Sequence, residues 1–169
     1  MGQVIDAHCH IFPEDFQERR GELLSRDATF SELFSKGRPM MASAPTLISA
    51  MDQNGISWAV VMGIGWSDFT LAQEANGYLI RAVADHPDRL VGLCSVNPVW
   101  GRKALDEVER CAAHGLRGVG ELHPDTQGFD IGDEATLAPL MELAVNLAMP
   151  VLVHCSEPAG HKYPGKGNT

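Results

Sequence analysis

Val4-Ile5-Asp6-Ala7-His8-Cys9-His10-Ile11-Phe12 opens the chain with a short, mostly apolar run carrying two histidines one residue apart. The pattern predicts a buried strand that ends in polar chemistry. Alternate side chains of an extended strand share a face, so Asp6, His8 and His10 are expected on one side and Ile5, Ala7, Cys9 and Ile11 on the other. With the apolar side packed on helices, both imidazoles project into whatever the sheet encloses. Neutral imidazoles so placed suit a zinc-like ion. A hydrogen-bonded pair of core histidines is the competing reading of His-x-His alone.

Outward from this strand the chain alternates. Residues 13–43 are polar and charged with scattered aromatics (Phe16, Phe30, Phe34), too long for a simple connection, and read as a packed lid with one or two short helical turns. Ser43-Ala44-Pro45 caps a helix that Asn54-Gly55 stops. The almost continuously apolar stretch 56–64 suits a parallel strand covered on both faces. A helix marked by Leu71, Ala75, Tyr78, Leu79 and Ala82 closes at His86-Pro87-Asp88, before a strand at 90–96. A helix over 102–113, a strand over 116–123, an Asp133-capped helix and a strand over 150–155 follow, and 156–169 run out as a Gly/Pro/Lys-rich loop.

Five strands separated by helices predict a right-handed parallel α/β architecture. A doubly wound sheet often carries a glycine-rich phosphate turn after its first strand, and here His-Ile-Phe-Pro-Glu stands there instead. A (β/α)8 barrel collects polar residues at the C-terminal ends of its strands, where His8, His10, Asn97, Glu121, His123 and His154 fall. The expectation is therefore a single TIM-barrel domain over 1–169 with only its first five β/α units present, since a complete barrel takes about 250 residues. A five-stranded piece has two open edges, which a missing C-terminal half or a second copy would cover.

Bulk properties exclude several classes. A formal charge of −9 over 169 residues, with no Lys/Arg cluster, argues against a nucleic-acid surface. No run approaches the roughly 18 apolar residues of a membrane span, and no basic-then-apolar leader is visible, so the expected compartment is cytoplasmic. Cys9, Cys94, Cys111 and Cys155 are too dispersed for a disulfide scaffold, and the three in predicted strands read as buried free thiols.

His154 ends Pro150-Val-Leu-Val-His-Cys155 and makes a third imidazole at a strand end. Glu121, in Gly118-Val-Gly-Glu-Leu-His-Pro124, reads as a further ligand, an acceptor orienting a histidine, a substrate contact or a solvated strand-end carboxylate, and His123 shares its face. Taken in order, Asp6-Ala-His-Cys-His10, Gly63-Ile-Gly-Trp-Ser-Asp68, Arg117-Gly-Val-Gly-Glu-Leu-His-Pro124 with Gln127-Gly-Phe129, and Val153-His-Cys-Ser-Glu-Pro158 resemble the amidohydrolase superfamily. The resemblance covers essentially the whole chain and points to the branch that includes aminocarboxymuconate-semialdehyde decarboxylase.

That resemblance implies a metal-dependent barrel in which His8, His10 and His154 match metal ligands. The ion expected is Zn2+, with Mn2+ or Fe2+ as alternatives. Glu121 stands where binuclear relatives often carry a carboxylated lysine, which implies a mononuclear centre. Family members continue through three more strands that supply a histidine and an acid/base aspartate, so the 169-residue chain alone is expected to bind metal weakly and turn over little. For the whole enzyme the leading expectation is metal-activated water attacking an amide, ester or lactone of a small carboxylic acid, with Glu121 and His123 as catalytic groups. Decarboxylation or hydration on the same barrel is the lyase alternative, and an inactive truncated barrel that acts only by association is the third. Trp66 and Asn97 are expected to bind substrate at the pocket mouth, while Lys162 and Lys166 read first as solvated loop charges, with contact to an anionic substrate as the alternative.

Overall fold

The computed structural model describes residues 2–37 and 39–155; Glu157, Lys162 and Lys166 lie outside the described residues. Five parallel strands form one sheet in the order β1 (Ile5–His10), β2 (Trp58–Met62), β3 (Leu90–Cys94), β4 (Gly118–Leu122) and β5 (Val151–Val153). Sequential order with no switch point separates this sheet from a doubly wound one and makes it half of a β/α barrel. Its curl is visible in the side chains. In a flat sheet β1 and β4 would lie about 14 Å apart, three strand spacings, yet His10 Nε2 on β1 comes within 3.5 Å of Glu121 Oε2 on β4.

Each connection is helical for a readable reason. Between β1 and β2, a 3-10 turn (Glu14–Gln17) precedes α1 (Arg20–Arg26), α2 (Ala28–Phe34) and α3 (Ala44–Asn54). The Ser43 hydroxyl caps α3, and Gly55 ends it at φ 66°, a left-handed turn that glycine adopts without strain. Helices α4 (Phe69–Asp85) and α5 (Arg102–Ala113) cover the next crossovers, and α4 starts with the Asp68 carboxylate accepting from Leu71 N–H. Asp133 likewise caps α7 (Glu134–Asn146). Between β4 and α7 the sequence reads as a loop, but Pro124–Gln127 closes a short helix, α6.

Two apolar clusters hold the layers. One lies between sheet and helices, built from Ala59, Val61, Leu79, Leu90, Val108, Leu116, Val119 and Leu140. The other lies beneath the segment 13–43 and joins Phe12, Phe16, Leu23 and Phe30 to Ile64, Trp66 and Leu71. Trp66 is its centre, stacked on Phe30 at 6.0 Å and edge-on to Phe16 at 5.7 Å. So the segment 13–43, expected as a lid with one or two helical turns, carries more helix than that and packs on a cluster that borrows residues from the β2–α4 connection.

The first strand departs from strict alternation. Asp6 pairs with Ala59 but Cys9 pairs with Val61, so β1 carries one extra residue, a bulge. Ile5, ahead of the bulge, is exposed rather than packed on helices, and the Asp6 carboxylate turns back to accept from His8 N–H at 3.2 Å. The thiols also differ from expectation: Cys94 and Cys111 are buried, Cys9 is half-buried and Cys155 is exposed. Among the described residues no helix is long and apolar enough to cross a membrane.

Candidate metal centre and pocket

The strand ends assemble a cluster of imidazoles around one carboxylate. His8 and His10 approach with Nε2 atoms 3.0 Å apart, and Glu121 Oε2 lies 3.6 Å from the first and 3.5 Å from the second. Glu121 Oε1 accepts from His154 Nδ1 at 2.9 Å. The His154 ring stacks on His123 at 4.3 Å between centroids. The Gly120–Glu121 peptide is cis.

Hydrogen-bond partners fix which nitrogens are ligand-like. The Gly63 carbonyl 3.1 Å from His10 Nδ1 can only accept, so Nδ1 donates and the lone pair sits on Nε2. By the same logic His154 donates from Nδ1 to Glu121, and its buried Nε2 has no hydrogen-bond partner among the described residues. Burial holds the His10 imidazole below its ordinary pKa, with the nearby His8 acting the same way and Glu121 opposing both. Cys9 between the two histidines is no thiolate: burial, then the Asp6 carboxylate, push its pKa up to about 12.

The donor set fits a divalent cation. A triangle with corners at His8 Nε2, His10 Nε2 and Glu121 Oε2 has its centre about 2.0 Å from each atom, the length of a zinc–imidazole or zinc–carboxylate bond. Two imidazole nitrogens at 3.0 Å also need a proton or a cation between them, because facing lone pairs repel. His8, His10 and Glu121 therefore form a group able to hold an ion, and His154 joins it through the carboxylate and offers an orphaned lone pair.

A pocket of about 710 Å3 opens over this cluster. Its floor is His8, His10, Glu121, His123 and His154, and its walls are apolar, with Phe12, Ile64, Leu152 and Val153 from the barrel and Leu33, Phe34, Pro39 and Met40 from the lid. Trp66 and Asn97, expected at the pocket mouth, sit elsewhere. Trp66 is fully buried in the cluster beneath the lid. Asn97 is buried too, donating to the Gln127 carbonyl at 2.9 Å and accepting from Val99 N–H at 3.1 Å. Both organise loops, and neither lines the pocket.

Sequence reasoning missed Asp27, Thr29 and Gly65, which tie the lid to the site. The buried Asp27 carboxylate accepts from Phe30 N–H at 2.7 Å and, across the chain, from Ser67 N–H at 2.7 Å and Asp68 N–H at 2.8 Å. The Thr29 hydroxyl donates to the Gly65 carbonyl at 2.5 Å. Gly65 itself packs so closely on β4 that a Cβ there would stand 2.6 Å from His123 Cβ. The Gly-x-Gly-Trp-Ser-Asp run was visible in sequence, but Asp27 and Thr29 lie 36 to 41 residues from the groups they bind in it and carry no local signal.

The family model described as Amidohydrolase matches residues 5–168, and the chain belongs to that family. A curated relative, 2-amino-3-carboxymuconate-6-semialdehyde decarboxylase of Dictyostelium discoideum, is 29% identical over 91 residues, which is 53% of this chain and 25% of the relative. Two solved structures share the fold. One is 5-carboxyvanillate decarboxylase of Novosphingobium aromaticivorans, complexed with manganese and 4-hydroxy-3-methoxy-5-nitrobenzoic acid (TM-score 0.69, 21% identity, 91% of this chain and 50% of that one). The other is 4-oxalomesaconate hydratase of Rhodopseudomonas palustris (TM-score 0.63, 18% identity, 90% and 52%). The chain thus spans about half the length of these solved proteins.

Proposed function

We propose that this chain supplies the metal-binding half of a lyase that decarboxylates a small, flat, unsaturated or aromatic carboxylic acid. The observation that carries this reading is the pocket itself: an ionic floor of imidazoles and carboxylate beneath walls of Phe12, Phe34, Leu33, Ile64 and Leu152. The walls take a planar apolar body and keep water from it, while the floor receives the carboxylate end. Loss of CO2 breaks a carbon–carbon bond whose electron pair stays on the substrate carbon, and low polarity around that carbon favours departure of neutral CO2 from a carboxylate. The curated decarboxylase relative supports the same choice.

His8, His10 and Glu121, with His154 joined to them through the carboxylate, would hold a divalent ion, Zn2+ or, as in the solved decarboxylase relative, manganese. When bound, such an ion polarises a coordinated carboxylate or carbonyl oxygen and acidifies bound water. Glu121 sets the orientation of His154 by accepting its Nδ1 proton. His123, beside Glu121 on the pocket floor, is placed to take up a proton from the substrate or solvent and then to pass it to the substrate carbon, which must receive one once CO2 has left.

Hydrolysis of an amide, ester or lactone is the second reading, favoured by an imidazole, His123, on the floor of the same pocket as Glu121. Incubating the full-length, metal-loaded protein with a panel of aromatic and muconate-type acids, and following 13C-labelled carboxyl groups by NMR, separates the two. Release of the label as CO2 or bicarbonate supports decarboxylation. Acid release from esters or lactones with the carboxyl label retained overturns it in favour of hydrolysis.

We further propose that the edges of β1 and β5, which are open among the described residues, are covered by further barrel strands or by a second copy. Val4 and Ile5 on the β1 side are 53% and 59% exposed, which an edge strand in a parallel sheet does not tolerate uncovered. Native mass of the purified protein tests this: a mass equal to a lone 18.3 kDa chain would leave the edges bare and point to the inactive, truncated alternative.

A further inference from the structure

A chain of hydroxyls connects the lid to the site, and counting its protons leaves a single arrangement. Thr29 Oγ1, on lid helix α2, lies 2.5 Å from the Gly65 carbonyl oxygen and 2.6 Å from Thr126 Oγ1 on α6. Thr126 Oγ1 lies 3.0 Å from His123 Nδ1. A carbonyl oxygen only accepts, so the one hydroxyl proton of Thr29 goes to Gly65. The Thr29–Thr126 contact then needs the proton of Thr126. With that proton committed, the contact between Thr126 and His123 needs a proton from the ring. A second acceptor near Thr126, the His123 carbonyl at 3.5 Å, is far weaker than the 2.6 Å contact to Thr29.

We infer that Thr29 and Thr126 are positioning residues that fix His123 in its Nδ1–H tautomer, so that the neutral ring carries its lone pair on Nε2. His123 then enters the reaction as a hydrogen-bond and proton acceptor, toward a hydroxyl or amine hydrogen of the substrate. The surroundings keep the ring from turning over. Gln127 accepts from His123 N–H at 2.8 Å and anchors its own amide on the Trp66 and Val96 carbonyls. On the ring's face, His154 stacks at 4.3 Å. Because Thr29 belongs to α2, the lid does more than wall the pocket: its docking sets which nitrogen of a pocket histidine is protonated. Only the acceptor role rests on the proposed function; the tautomer follows from the hydrogen-bond geometry alone.

Nitrogen-15 NMR of the histidine rings in the full-length protein reads the tautomer without any turnover, with the His123→Gln variant assigning the signal. The wild type is expected to show protonated Nδ1 and unprotonated Nε2 for His123. Thr126→Val removes the acceptor for Nδ1–H, and Thr29→Val frees the Thr126 proton to be donated to Nδ1. Both variants are expected to shift His123 toward the Nε2–H form, and Thr126→Ser and Thr29→Ser to keep the wild-type signal. A wild-type ring already protonated on Nε2 overturns the inference with no variant needed. So does a Thr29→Val spectrum identical to wild type. A protein with these spectra and no decarboxylation would sink the functional reading while leaving the tautomer intact.

Discussion

His154 Nδ1 lies 2.9 Å from Glu121 Oε1, so the imidazole that ends β5 reaches the paired histidines of β1 through a carboxylate carried on β4. Glu121 is the hub: both of its oxygens are engaged, one by His154 and the other facing His8 and His10. The chemistry of the pocket floor therefore turns on one side chain, buried at 8% exposure.

Replacing it tests that centrality. Glu121→Gln keeps the shape but removes the negative charge between three imidazoles, and divalent-metal affinity is expected to fall about 10- to 100-fold. Competition against a chromogenic chelator measures the change. Unaltered affinity would mean that the ion binds without the carboxylate.

Gly65 faces β4 with no room for a methyl group. A Cβ would stand 2.6 Å from His123 Cβ, 2.8 Å from His123 N and 3.0 Å from the Glu121 carbonyl oxygen. Gly65→Ala should cost about 1–3 kcal/mol of stability through overpacking and displace His123. Urea denaturation reads the first effect and the His123 ring signal in NMR reads the second; an unchanged urea midpoint would show that β4 yields without cost.

Asp27 holds the segment 13–43 to the barrel through the backbone N–H groups of Ser67 and Asp68, and caps α2 through that of Phe30. In Asp27→Ala these donors lose their acceptor in a buried setting, at about 1–3 kcal/mol for each one left unpaired. The expected result is a loss of roughly 3 kcal/mol or more in urea denaturation, with protease cleavage appearing inside 13–43. Asp27→Asn, which keeps one acceptor oxygen, should fall between. Equal stability of all three proteins would remove Asp27 from its anchoring role.

Glu107 on α5 gives the fold a pH dependence. Burial alone would raise its pKa, but hydrogen bonds from Arg110, Asn76 and Gln73 outweigh that and hold it below the ordinary 4.5. A carboxyl with a depressed folded-state pKa contributes stability that is fully present above the unfolded value and is lost as pH falls through the folded one. The stability difference between wild type and Glu107→Gln should therefore be large at pH 7 and shrink steadily below about pH 4. Urea midpoints for both proteins at pH 7 and pH 3 decide it, and a difference constant with pH contradicts the assignment.

Much of this molecule was legible in the residues. Ser43, Asn54-Gly55, Asp133 and the apolar runs at 56–64 and 90–96 placed helices and strands because capping, left-handed turns and burial periodicity act over a few residues. His-x-His and the strand-end His154 marked the floor of the pocket for the same reason. The bulge in β1 was not legible, because an extra residue is defined only against the partner strand. Trp66 and Asn97 read as pocket residues from their place after a strand, yet the lid core claimed the first and the Gln127 carbonyl and Val99 N–H the second.

What the sequence determined by itself was the order of elements, the parallel β/α class and the polar residues at the strand ends, all set by short-range periodicity and connection rules. Tertiary structure alone decided that β1 and β4 curl until His8, His10 and Glu121 meet. It also decided that Asp27 and Thr29 bind the lid to the Gly65–Asp68 turn, and that a proton count running from lid to barrel reaches His123. Hydrogen bonds and close contacts between residues 36 to 97 positions apart leave no periodic trace in the chain; they exist only once burial forces each donor to find its acceptor.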